Sequence, residues 1–237
     1  MFNESNQEDN SYWVSFADIF SGFMVVFIAI SLLSIGKTEK KDENLRSNGK
    51  PPIELKYAEM VDNFRKMIAD NNLEGVEIAD SATIRFYVKS GTKDKLFEEG
   101  KTIPTAYFDQ LLFKFIPVYI EELYKLYKTN DKVLAIKEIR IEGHTDSRGG
   151  YQSNLELSSN RALEVHKKLF ILDSFWKKYP ADFLEFVQSK SISCGYSYSK
   201  RLDQKGNYIS ISGQKEDYDK SRRVEFRIFL AYKDKNK

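Results

Sequence analysis

Residues Trp13 to Ile35 read WVSFADIFSGFMVVFIAISLLSI, an apolar run broken by one charge, Asp18. At a helical rise of about 1.5 Å per residue the run is about 35 Å long, enough to cross a bilayer core of roughly 30 Å. The run therefore predicts a single membrane-spanning helix over 13–36. A carboxylate inside such a span costs a few kcal/mol. Asp18 accordingly reads as part of an ion pathway or as a polar partner that assembles helices. Ser15, Ala17, Ser21 and Gly22 around it either permit close helix approach or are the ordinary composition of a membrane helix.

The chain has 237 residues, so about 200 remain after the span, room for one compact domain with a linker. Net charge is +2 with both signs interspersed, which does not suggest a nucleic-acid-binding stripe. A single cysteine, Cys194, excludes an intrachain disulfide and a cysteine-based zinc finger. The first residues lack a basic stretch and the apolar run lacks a small-residue cleavage site, so the span is read as a retained anchor. Flanking charges conflict with the rest of the reading. The tail 1–12 carries Glu4, Glu8 and Asp9, while Lys37, Lys40, Lys41 and Arg46 follow the span, which by the positive-inside rule places the C-terminal side in the cytoplasm.

Residues 37–52 are polar, end in Pro51-Pro52, and read as a linker or plug. Tyr57, Met60, Val61, Phe64, Met67 and Ile68 fall at helical spacing, predicting an amphipathic linker helix within 53–74. Ile78 and Thr83–Val88 read as a hairpin, and Leu96-Phe97 as a short element. A helix is expected over 104–128, kinked or split at Pro117. Ile136–Glu142 alternates as a strand, and Ser153–Phe170 reads as a helix opened by a Ser153–Glu156 capping box. A helix over 175–189, a strand over 191–196 and a closing strand over 223–231 complete the pattern. Strands mixed with helices predict an α/β class, an α+β sandwich of one sheet and helices.

The densest polar cluster is I-E-G-H-T-D-S-R-G-G (141–150), then N-L-E-L-S-S-N-R-A (154–162), then S-R-R-V-E-F (221–226). This order puts Asp146 at a strand end and Arg161 within the next helix. Asn154 and Arg161 are two turns apart and share a face. A carboxylate and a guanidinium facing one pocket suit a zwitterionic ligand: the carboxylate takes an ammonium, the guanidinium fork a carboxylate. Diaminopimelate in peptidoglycan stem peptides carries such a group. The alternative is a plain Asp146–Arg161 salt bridge joining strand to helix. Arg222 and Arg223 fit partly solvated strand-edge residues, Arg222 the more so. His144 beside Asp146 lacks metal-ligand spacing. His166 reads as an exposed helix residue, and Cys194 as a small buried hydrophobe.

G-H-T-D, N-x-x-L-S-x-x-R-A and R-R-V-E-F together resemble the OmpA C-terminal-like, peptidoglycan-binding domain over roughly 75–231. The resemblance implies that Asp146 and Arg161 are the ligand pair and that Thr145, Asn154 and Arg223 support the pocket. Segments 171–190 and 197–220 exceed the minimal pattern and either reshape or cover it. W-V-S-F-A-D upstream of such a domain resembles the B subunits of bacterial ion-driven stator units, which include flagellar MotB and the ZorB subunits of Zorya anti-phage systems. Length, the M-V-V-F that follows, and the long segment before Ser191 are more similar to ZorB, with a flagellar stator or a non-motor wall tether as the other readings. The resemblance implies an inner-membrane homodimer inside a ring of multi-spanning MotA/ZorA-like A subunits, with the N-terminus cytoplasmic and the domain periplasmic. This overrides the flanking charges. It further implies that Asp18 carries the transported H+ or Na+, that Trp13 and Phe16 pack or lie at the interface, and that the domain anchors to peptidoglycan. No catalytic residue, cofactor, metal or bound nucleic acid is expected.

Overall fold

The computed structural model describes residues 53–80, 83–88, 92–129, 134–171 and 173–232. The expected span, Asp18 and the linker or plug lie outside them. Among the described residues, no helix is long and apolar enough to cross a membrane.

The elements are α1 (Ile53–Asp70), β1 (Val76–Asp80), β2 (Thr83–Phe86), α2 (Ala106–Lys128), β3 (Leu134–His144), α3 (Tyr151–Lys168), α4 (Asp173–Trp176), α5 (Ala181–Lys190), β4 (Ser191–Gly195), α6 (Ile209–Ser212), α7 (Tyr218–Ser221) and β5 (Arg223–Tyr232). The strands form one mixed sheet in the order β1-β2-β5-β3-β4. β3 pairs antiparallel with β5, and parallel with β4. The last strand thus enters the middle of the sheet.

Strand alternation splits this sheet into two unlike faces. Ile84, Phe86, Ile139, Ile141, Val224, Phe226 and Ile228 point into a single apolar core. Phe226 packs against Phe86, Phe115 and Tyr119 with ring centroids 5.5, 5.1 and 5.3 Å away. Arg85, Arg140, Glu142, His144, Arg223, Glu225 and Arg227 occupy the alternate positions and face the other way. Register places Glu142 opposite Glu225, and Glu225 opposite Arg85. Residues 196–222 cover this charged face: Gly206 O accepts from Arg85, Lys200 pairs with Glu142, and Tyr196 stacks on His144.

Several expectations change against this architecture. The helix read as a linker sinks Met60, Phe64 and Met67 into the core, and the Tyr57 hydroxyl accepts from Leu230 N at 2.8 Å. α2 starts after Thr105, whose hydroxyl accepts from Phe108 N, and runs unbroken through Pro117. Buried residues on both sides, Phe115, Ile116, Tyr119 and Ile120, hold it in register. Tertiary packing outweighs the proline penalty here. α3 begins two residues earlier than expected, with Gly150 as N-cap and no side-chain cap bond, so there is no Ser153–Glu156 capping box. The helix expected over 175–189 is two helices, because Pro180 sits at the N-cap of α5, where its fixed φ starts a helix rather than continuing one. His166 is half-buried with Nε2 2.9 Å from Ser191 Oγ, and Cys194 is only half-buried because β4 is a sheet edge.

Candidate binding cleft

β3 delivers the cleft. It ends at His144, and the next residues, Thr145 and Asp146, turn away where Gly149 adopts φ 88° and Gly150 caps α3. The turn is fixed at each step. Thr145 N donates to Ser197 O at 2.9 Å, Asn154 Nδ2 to Arg148 O at 2.8 Å, and Ser147 N and Oγ donate to Glu216 at 3.1 and 2.5 Å. The long segment 197–220 therefore buttresses the turn from outside. α3 lies so close to the sheet that a Cβ on Gly143 would stand 2.1 Å from Ser158 O, and one on Gly195 would stand 2.4 Å from Ser159 N. Only glycine permits this approach, and it sets where Arg161 stands relative to Asp146.

Asp146, Thr145, Asn154, Arg161 and Arg223 all line one cleft of about 710 Å³, together with Phe97, Arg148, Arg222 and the segment 92–100 where described. All five expected residues are thus brought together. Asp146 and Arg161 are 5% and 7% exposed. They do not bond each other, which removes the simple strand-to-helix salt bridge. Asp146 Oδ1 accepts from Arg148 N at 3.0 Å. Its Oδ2 accepts from Arg148 Nε and Nη2 at 3.1 and 2.7 Å and from Arg222 Nη1 at 2.5 Å. Burial pushes this carboxyl up, but the arginine bonds outweigh it and hold it below its ordinary value.

Arg161 is engaged differently. Its Nε donates to Lys101 O at 2.9 Å, its Nη2 to Glu98 O at 3.1 Å, and its plane lies 4.7 Å from the Phe97 ring centre. One edge of the guanidinium fastens the wall formed by 97–101, which leaves Nη1 for a further acceptor. Burial, then the Arg222 cation, pulls this group down to about 10, still charged at neutral pH.

Arg223 is fully buried, with Nε on Glu225 at 2.7 Å and Nη1 on Ser221 O at 3.2 Å. It is no strand-edge residue. Its Nη2, Thr145 Oγ1 and both ring nitrogens of His144 are buried without a hydrogen-bond partner, and all three residues line the cleft. His144 Nε2 stands 3.5 and 3.7 Å from Glu142 and Glu225. These three side chains have the donor atoms of a metal site within 4.8 Å of one another. Yet Arg140, Lys200 and Arg227 pair with Glu142, and Arg85, Arg223 and Arg227 pair with Glu225. A dication would enter an already neutralised, arginine-rich cluster, so the residues fit an ion-pair network and not a metal.

Sequence reasoning did not find Arg148 and Arg222 as the partners of Asp146, nor the wall 97–101 as the partner of Arg161. The only local signal was Arg148, two residues beyond Asp146 in S-R-G-G.

Residues 110–176 match the OmpA family, a stretch running from α2 to α4 that includes Thr145, Asp146, Asn154 and Arg161. A curated protein of Escherichia coli strain Crooks, "Zorya protein ZorB", is 30% identical over 93% of this chain and 88% of its own length. A second of the same name, from Escherichia coli O139:H28, is 25% identical over 98% of this chain and 85% of its own length. The solved periplasmic domain of Helicobacter pylori MotB is 18% identical, covering 68% of this chain and 83% of that one, with a TM-score of 0.35.

Proposed function

The chain belongs to the ZorB family and carries an OmpA-family domain, and on that premise we propose that it is the B subunit of a stator-like membrane unit in Zorya anti-phage defence, anchored to peptidoglycan by its cleft and driven by ions through Asp18. The span 13–36 crosses the inner membrane once, with the cytoplasmic end first and the domain in the periplasm. Two copies pair inside a ring of multi-spanning A subunits.

The observation that carries the anchoring role is the placement of Asp146 and Arg161 in one cleft without a bond between them. A buried carboxylate accepts from an ammonium, while the remaining Nη1 of Arg161 donates to a carboxylate. The unpartnered Thr145 Oγ1 and Arg223 Nη2 offer two further donors to such a ligand. Diaminopimelate in a stem peptide presents both charges on one carbon. A charge carried by way of Asp18 through the membrane potential offers roughly 2.3 kcal/mol per charge per 100 mV.

The anchoring role is tested by co-sedimenting the full-length protein in detergent with purified peptidoglycan sacculi. Wild type and Asp18→Asn are expected to sediment equally, while Asp146→Asn stays in the supernatant. Retained sedimentation of Asp146→Asn would remove the cleft from the account.

A further inference from the structure

The carboxylate that the proposed function assigns to a ligand ammonium is already occupied. Asp146 Oδ2 receives three N–H donors, two from Arg148 and one from Arg222. Those two arginines differ in kind. The Arg222 side chain is 36% exposed and is also held by Asp219, whereas the Arg148 side chain is 66% exposed. An ammonium reaching Oδ2 from the cleft meets Arg148 as the more exposed partner. The Arg148 guanidinium carbon lies 5.3 Å from the ring centre of Tyr218, itself 43% exposed, which offers the displaced side chain a resting surface.

We propose that Arg148 is a built-in competitor for the ammonium position at Asp146, so that ligand entry exchanges one cation for another and Arg148 sets the affinity of the cleft. This rests on the reading of the cleft as a site for a zwitterionic wall group. In the empty cleft Arg148, with Arg222 beside it, keeps a buried carboxylate paired. In the loaded cleft that role passes to the ligand. Arg222 remains in place as the fixed counter-ion. A ligand bearing only an ammonium gains no more than the guanidinium it displaces. One that also presents a carboxylate to Arg161 Nη1 has a net advantage. The arrangement therefore selects against simple amines by raising the threshold every cation must pass.

The test is isothermal titration of meso-diaminopimelate into the full-length protein in detergent, for wild type, Arg148→Gln, Arg148→Lys and Asp146→Asn. A pair whose cation is 66% exposed contributes only modestly, so Arg148→Gln is expected to bind about two- to fivefold tighter than wild type. Arg148→Lys keeps a cation and should stay near wild type. Asp146→Asn should lose at least about tenfold, as expected for removal of one partner of a buried charge pair. A gain in affinity is a readout that general damage to the turn does not produce. Arg148→Gln binding no tighter than wild type, with Asp146→Asn impaired, overturns the competitor role and leaves the wall-binding reading standing. Binding by neither wild type nor Arg148→Gln overturns both. Binding detectable only in Arg148→Gln supports both.

Discussion

The two faces of the sheet are written in the same strands, one residue apart, and are built from opposite chemistry. Val224, Phe226 and Ile228 of β5 pack into an aromatic core, while Arg223, Glu225 and Arg227 between them enter a buried ion-pair network. Both faces are closed to solvent: Phe226 and Glu225 are each 0% exposed. The apolar face holds the helices to the sheet by area, without direction. The charged face costs desolvation, and its bonds are directional. It fixes where β3 ends and so aims Thr145 and Asp146 into the cleft. Buried charges of this kind are weak evidence for added stability. Their use in this fold is to place groups.

The comparison breaks most clearly at Phe226. Phe226→Ala should cost about 3–5 kcal/mol through the cavity it leaves among Phe86, Phe115 and Tyr119, read as a lowered urea midpoint. Glu225→Gln strands Arg85 and Arg223 beside each other without their shared carboxylate. The expected loss is roughly 3 kcal/mol, and added salt should recover little of it because the site is buried.

Acid sharpens the contrast, since only the charged face titrates. Burial, then Arg223, pulls the His144 imidazole down to about 4, so it is neutral when folded at neutral pH. The unfolded chain takes up this proton near pH 6.5 and the folded one does not until about pH 4, so stability falls as pH drops through that window. The loss from this residue is on the order of 3 kcal/mol. Unfolding of His144→Gln measured from pH 7 to 4 should show a flatter profile than wild type. Below that window Glu142, Glu225 and Asp146, all held below their ordinary values by cationic partners, add to the acid loss in the same direction.

Gly143→Ala is the smaller steric test, at about 1–3 kcal/mol. The new Cβ would push on Ser158 O and shift α3. A loss of sacculus binding larger than the loss of stability would show that the approach of α3 to the sheet matters for placing Arg161. Smallest of all, breaking the exposed Lys95–Glu98 pair should move stability by less than about 0.5 kcal/mol.

Much of this fold was legible because it follows periodicity. Alternation marked β3, and helical spacing marked α1. What was not legible came from packing between distant residues. α2 stays intact through Pro117 because the neighbouring residues are buried, and the helix read as a linker is core because Leu230 and Glu122 lie beside it. In the cleft, the motif brought Asp146, Asn154 and Arg161 into view. Their actual partners were hidden, since Arg161 bonds to carbonyls 60 and 63 residues away and Asp146 to an arginine 76 residues away. No local pattern encodes such pairings.

The most direct test of the stator account is phage plating on cells that carry the gene with its native neighbours, comparing wild type with Asp18→Asn and Asp146→Asn at equal protein levels. The account predicts protection by wild type and loss of it in both variants, one through the ion path and one through the anchor. Protection undiminished by Asp18→Asn would contradict it and leave a passive wall tether.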